Sequence, residues 1–344
     1  MNSANTNSKV LKETKNKIRV EFERTSKWQR FKVKYLSMRF VTTVIWKLFR
    51  YVILLGMCYI ILNPFFAKIS SSFKSIEDFM DVTVKYIPKH FTLDTYKAII
   101  LENNYLESVL TTAMLAVVCA LLQTFVCSFV GYGFAKYKFK GSGFLFTMVL
   151  VTMMVPPQTI KYALFLQFKN FDILGLFNLF GLGKISLLNT MWPFVILSLT
   201  GIGLKNGLYI FMMRQFYRGV PDELEESAYI DGSSVVKTFF KIILPISVPM
   251  MITIFLFAFS WTWTDNFYST LFYTNNLDVK TLAYFAEIPK SLDELIKETG
   301  AGGDLFRQAI MHTCGLLIIL PLIIIYLFCQ RYLIQGIERS GITG

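Results

Sequence analysis

Apolar and polar residues fall along this chain in blocks of membrane-spanning length. Residues 109–135 carry no charged side chain, nor do 185–204, 242–264 and 312–330; residues 144–168 carry only Lys161 and residues 48–67 only Arg50. A membrane helix needs about 20 mostly apolar residues, so the pattern predicts an all-α integral membrane protein with six transmembrane helices. Two of the spans are interrupted. Pro156 and Pro157 sit inside the third, where a proline pair must kink or break a helix, because the ring removes a backbone donor and clashes with the preceding turn. Gly201, Gly203 and Gly207, with Lys205 and Asn206 between the last two, interrupt the fourth. Broken backbone at membrane depth survives only where protein or a watery cavity satisfies the freed groups.

Composition agrees with this reading. Hydrophobic residues make up 54% of 344, above the range of soluble domains. The formal net charge of +12 admits nucleic acid as a partner, but its distribution argues against one. The first 50 residues hold 13 Lys or Arg and three Glu, nearly the whole excess. Lys136, Lys138 and Lys140 follow the second span, Arg214 and Arg218 the fourth, Arg331 and Arg339 the sixth, whereas residues 68–107 and 273–307 hold more acids than bases. Lys/Arg bias marks cytoplasmic loops, which places both termini and the segment 225–245 inside. Within a basic cytoplasmic extension over 1–47, Trp28, Phe31, Tyr35 and Met38 recur at helical spacing among Lys and Arg, predicting an amphipathic helix on the lipid surface. That extension is too long and too charged for a cleaved signal peptide. The five cysteines lie in apolar spans without metal-ligand spacing and read as packing residues; no metal site is expected.

The segment EESAYIDGSSVVKTFFKIILP, 225–245, is polar between apolar neighbours. Pro221 suits a first helical position, and Asp222 and Glu223 suit the positive end of a helix dipole. The first helix is expected to run to about Ile230 and stop at Asp231-Gly232, glycine supplying a left-handed turn. Ser233 or Ser234 caps a second helix, which Pro245 is expected to end or kink. Leu224 and Ala228 share one face with Ser227 beside them, and small side chains there let another backbone approach. A helix–glycine–helix elbow with exposed carboxylates reads as a docking surface.

This elbow resembles the EAA signature of permease subunits in binding-protein-dependent ABC importers: E-A-A, a Gly three residues on, then nine residues and I-x-L-P. The chain has Glu226-Ser227-Ala228, Gly232, Ile242, Leu244 and Pro245 in that register, with Ser227 the one departure. GYGFAKYKFKG, MRQFYRGVPDELEESAYIDG, WTDNF and QRYLIQG look like the carbohydrate-uptake class, in particular the smaller permease of the maltose transporter; Thr264 replaces the usual Asn, and DILGLFNLFGLG looks like an insertion. The resemblance covers roughly Tyr51 to Gly344. It implies a permease domain over 48–344 in a bacterial cytoplasmic membrane, whose coupling loop, about 219–245, docks on a cytoplasmic ATPase through Glu225, Glu226, Ser227, Ala228, Asp231 and Gly232, closed by Ile242, Leu244 and Pro245. It further implies two ATPase subunits, a second permease that is usually a homologous but different chain, an extracellular solute-binding protein, and a sugar or oligosaccharide as substrate.

The chain has no G-x-x-x-x-G-K-[ST], so it is expected to be a transport subunit and no enzyme, with ATP and Mg held by the partner ATPase and no cofactor of its own. Candidate substrate-path residues are Gln158 and Lys161 beside the proline break, Lys205 and Asn206 at the glycine-rich one, and Trp263 and Asp265 in the WTDNF stretch. Trp261 and Trp263 can stack on sugar rings or anchor the packing. Lys161 can reach the surface and Lys205 can cap local carbonyls; alternatively they give the path a positive field for an acidic sugar. A permease for another small solute remains open, as does an ion-coupled secondary transporter using Lys205, Asn206 and Asp265.

Overall fold

The computed structural model describes residues 28, 38–173, 175–181, 183–203, 205–274, 279–299 and 303–341, the side chains of 39, 41, 176, 299 and 333–341 excepted. The amphipathic helix expected after Ser26 lies almost wholly outside them. The described elements are helical apart from two isolated β-bridges. In chain order they are α1 (Met38–Ser72), α2 (Ile76–Met80), α3 (Asp94–Glu102), α4 (Tyr105–Lys136), α5 (Ser142–Met154), α6 (Pro157–Lys169), α7 (Leu176–Leu179), α8 (Trp192–Leu199), α9 (Asn206–Arg218), α10 (Glu223–Ile230) and α11 (Val235–Thr238). A π-helical turn (Phe239–Ile243) leads into α12 (Leu244–Trp263), and α13 (Phe267–Phe272), α14 (Leu282–Phe285), α15 (Lys290–Thr299) and α16 (Gly303–Gly341) follow.

Four helical stretches among the described residues are long and apolar enough to cross a membrane: Thr42–Ser72, Tyr105–Lys136, Val235–Trp263 and Gly303–Tyr332. These correspond to the first, second, fifth and sixth predicted spans. The third is the pair α5 and α6, bent by 99° at the two prolines; Pro156 is extended (φ −64°, ψ 131°) and caps α6. The fourth predicted span is not a single helix. It comprises the eight-residue α8 and then an irregular stretch before α9, with Gly201 at φ 72° and Lys205 at φ 63°. The glycines cost more backbone order than a helix interior tolerates, so the charge-free run does not become one rod.

The chain divides into two units, Met1–Ala67 and Lys68–Gly344. In the second, α4 lies at the centre of the packing, against α9 and α12, and α12 packs on α16. Gly131 permits the close approach of α4 and α9: a Cβ there would stand 2.6 Å from Met213 Cβ and 3.0 Å from the Arg214 amide nitrogen. Tyr209, Met213, Tyr217, Phe239, Ile243, Met250, Ile254 and Ile310 are fully buried in this core. A polar thread ties three helices together. The Ser128 and Tyr217 hydroxyls are 2.6 Å apart, Tyr217 donates to Ser247 Oγ at 3.1 Å, and Ser247 donates to the Leu244 carbonyl at 2.8 Å. Side-chain hydrogen bonds of this kind hold helices together where lipid removes the hydrophobic drive.

The connections are ordered by similar means. The Asp78 side chain is almost wholly buried and accepts from the His90 backbone at 3.1 Å, with His90 Nδ1 at 2.9 Å. Burial works to raise this carboxyl, but the His90 hydrogen bonds and charge outweigh it and hold it below the usual range. The connection after α6 is pinched where Phe171 and Ile185 exchange backbone hydrogen bonds of 2.9 and 3.1 Å.

Candidate functional site

Two places carry chemistry: the polar elbow and a cavity beside the broken helices. In the elbow, α10 begins at Glu223, two residues past Pro221, with Asp222 as N-cap. Asp222 makes no side-chain capping bond because its carboxylate is held elsewhere, 2.5 Å from Lys136 Nζ at the end of α4. Lys136 also donates to the Val220 carbonyl at 2.6 Å and stands 3.9 Å from Glu225 Oε1. Its side chain is only 7% exposed, and Glu225 is buried beside it with Oε1 lacking a hydrogen-bond partner. Burial pushes the Glu225 carboxyl above its ordinary value; Lys136 opposes the shift and Asp222 adds to it. The Lys136 hydrogen bond and charge hold the exposed Asp222 below its ordinary value. The second span and the elbow are thus clamped by one lysine that the sequence reading did not single out.

The turn closes as a Schellman cap. Ser233 N donates to the Ala228 carbonyl (2.9 Å) and Gly232 N to the Tyr229 carbonyl (3.0 Å), with Gly232 at φ 79°, the pattern in which a left-handed residue satisfies the last helical carbonyls. Ser234, extended at ψ 158°, caps α11 by accepting from Lys237 N at 3.4 Å. Two expectations need correction. Pro245 does not end the second helix: residues 235–263 run on as one helical stretch. The π-turn carries the helix past the proline: Leu244 N bonds to the Phe239 carbonyl, i−5, immediately before Pro245, which has no N–H to donate. Ala228, expected on the docking face, is buried within its own chain. The outward surface is instead formed by Glu226, Leu224, Ile230, Val235 and Val236; Ser227 is exposed, its hydroxyl turned back to the Glu223 carbonyl at 2.7 Å. Asp231 is the C-cap of α10. Ile242 and Leu244 pack on the core and root the elbow there.

The cavity holds about 400 Å³ and lies among the α5–α6 break, the irregular stretch 201–203, the start of α9 and the end of α12. Lys205, Asn206 and Trp261 line it, and Lys205 Nζ stands 4.8 Å from the centre of the Trp261 indole. Lys205 and Asn206 thus both line this cavity, and Lys205 has Trp261 as its neighbour. Trp263, two residues on, points the other way: it is buried and donates from Nε1 to the Ile318 carbonyl at 2.9 Å. It anchors α12 to α16 and cannot stack on a substrate. Trp263→Phe is expected to cost about 0.5–1.5 kcal/mol, seen as a lower unfolding temperature in detergent. Asp265 is also committed: its oxygens accept from Tyr268 N (3.3 Å) and Ser269 N (2.9 Å) at the start of α13. It lies with Gln123 and Ser198 on a separate void of about 20 Å³, space for one water. Gln158 and Lys161 are exposed on α6 and are not among the residues lining the larger cavity; Pro157 and Ile160 are.

An elbow rooted in the core and presenting a carboxylate and an apolar rim outward suits a membrane component driven from outside itself. A family of such proteins, described as the inner membrane component of binding-protein-dependent transport systems, matches residues 127–339. The chain belongs to this family. Among relatives of this inner membrane component, the galactooligosaccharides transport system permease protein GanQ of Bacillus subtilis (strain 168) is 27% identical over 86% of the chain and 95% of its own length. The polygalacturonan/rhamnogalacturonan transport system permease protein YtcP of the same organism is 25% identical over 86% and 96%. The arabinooligosaccharides transport system permease protein AraQ of Halalkalibacterium halodurans is 28% identical over 83% and 92%. A chain in the crystal structure of a bacterial ABC transporter involved in the import of the acidic polysaccharide alginate superposes with a TM-score of 0.61 at 20% identity, covering 85% of this chain and 97% of that one. This likeness establishes the same all-α fold for the inner membrane component described here.

Proposed function

We propose that the chain is the permease subunit of an ATP-driven importer, forming part of the path by which a sugar or oligosaccharide, handed over by an extracellular binding protein, crosses the cytoplasmic membrane. Six passages are needed for this reading, with α5–α6 and α8–α9 each crossing as a broken pair and both termini on the cytoplasmic side. A second permease completes the pathway, and two ATPase subunits bind ATP and Mg; this chain contributes the docking elbow and no nucleotide site. The names borne by the three relatives above, each an oligosaccharide or polysaccharide transport system, support the sugar class.

The observation that carries the reading is the elbow itself. Glu226 and the apolar rim face outward, while Ile242 and Leu244 anchor the other end in the core that surrounds α12. Closure of an ATPase cleft around this projection moves the helix to which it is joined. Glu226→Ala removes a charge whose partner on the ATPase is then left desolvated, a loss of about 2–5 kcal/mol. The expected result is normal membrane insertion, loss of the co-purifying ATPase in mild detergent, and loss of ATP-dependent uptake. Retained association and uptake would remove the docking role.

A further inference from the structure

We infer that the cavity at Lys205 is a subsite for a carboxylate-bearing sugar unit, so that the substrate is an acidic glycan such as a uronate oligosaccharide. This rests on the importer reading above and deepens it. Four observations converge on the same 400 Å³ space, which lies within the ~300–1,000 Å³ range of small-molecule sites.

First, the Lys205 ammonium is held against the Trp261 indole at 4.8 Å, and no acidic side chain is among the residues lining the cavity. The nearby Asp265 spends its oxygens on the amides of α13. The cation thus faces the space uncompensated, and the indole fixes its position without neutralising it. Second, Lys205 has φ 63°, a left-handed conformation unfavourable for a residue that carries a Cβ. Such outliers persist where the surroundings determine them and gather at ligand sites. Third, α9, a 13-residue helix, begins at Asn206, and Asn206, Gly207 and Leu208 line the cavity. The positive end of its dipole adds to the field of Lys205, as half-helix N-termini do for anionic groups within transport proteins. Fourth, Asn206 is 1% exposed and neither its Nδ2 nor its Oδ1 has a hydrogen-bond partner. Buried amides without partners are rare in folded proteins, and Asn206 is one of the residues that line this cavity. Rotation of the buried Asn206 side chain toward the cavity brings Nδ2–H to a carboxylate oxygen and Oδ1 to a neighbouring hydroxyl, and the exposed part of Trp261 offers an apolar wall to a pyranose face.

The test reconstitutes the complete transporter, with its binding protein, in phosphatidylcholine vesicles, so that no anionic headgroup competes for the site. ATP-dependent uptake of an oligogalacturonide is compared with that of its methyl ester, which keeps the shape and removes the charge. In the wild type the acid is taken up about tenfold faster. Lys205→Leu lowers acid uptake about tenfold and brings the two rates together; Lys205→Arg keeps the preference, and Asn206→Asp, which adds a negative charge, reverses it. Equal uptake of acid and ester by the wild type, uptake of neither, or equal loss of both in Lys205→Leu overturns the subsite. So does a preference that disappears when anionic lipid is added, since a headgroup is then the occupant. Uptake that persists without ATP and without the ATPase overturns the importer reading instead, whichever glycan is preferred.

Discussion

Gly232→Val is expected to abolish ATPase association and to lower uptake by more than about tenfold, while the protein still inserts and remains folded. The reason is the backbone and not crowding. A Cβ at Gly232 meets nothing within 4 Å, yet φ is 79°, a region that costs an L-residue about 1–2 kcal/mol and is an outlier for a β-branched one. Valine escapes by rotating the turn, which breaks the bonds from Ser233 N and Gly232 N to the last carbonyls of α10 and re-aims the helix that carries Glu226. Asparagine visits the left-handed region readily, so Gly232→Asn is expected to retain most activity. Association measured by co-purification, with uptake beside it, separates the cases. A valine variant as active as the asparagine one would show that the turn does not set the orientation of the elbow.

Lys136→Met is expected to have the second large effect. Removing one partner of a fully buried pair costs about 3–5 kcal/mol; here Asp222 is exposed and Glu225 stands 3.9 Å away, so about 1–3 kcal/mol, the cost of leaving a buried polar group unpaired, is the appropriate scale. Glu225 already has a raised pKa from burial, against which Lys136 acts; losing the lysine raises it further. A carboxyl whose folded pKa lies above its unfolded value favours the folded state below the unfolded pKa and loses that contribution as pH rises through the folded one. The Lys136→Met elbow is therefore better ordered near pH 5 than near pH 8, and adding Glu225→Gln restores it at the higher pH. Uptake and ATPase association across that range are the measurements. A Lys136→Met protein with the wild-type pH profile and no rescue by Glu225→Gln would dismiss the clamp.

What the sequence made legible follows from locality. Hydropathy alone marks the four continuous spans, because each is a long unbroken run. Asp231-Gly232 and Ser234 identify the turn and cap, since both are satisfied within a few residues. Lys136 was visible only as one of several positive residues after a span: its partner Asp222 is 86 residues away, and no local pattern joins them. Trp261 and Trp263 were indistinguishable in sequence. On a helix, residues two apart do not share a face, so only one of them can reach the cavity, and the packing of α16 decides which. The unpartnered Asn206 amide is invisible to composition, being defined by what fails to surround it. The fourth span misled because absence of charge measures compatibility with lipid, whereas continuity of a helix is set by Gly201, Gly203 and the backbone at Lys205.

The π-turn before α12 has a consequence for how this protein tolerates insertion and deletion. Each residue advances an α-helix by about 100° at 3.6 residues per turn, and the wide turn at Phe239–Ile243 accommodates a residue that a regular α-helix would have to place on its next turn. The angular setting of the elbow about the long axis of α12 is therefore a matter of residue counting. Deleting Lys241, which is exposed, would restore regular winding and swing Glu226 about a quarter of a turn around that axis. A lineage that gained or lost one residue here would keep its transmembrane segment intact while turning the elbow to present a different edge.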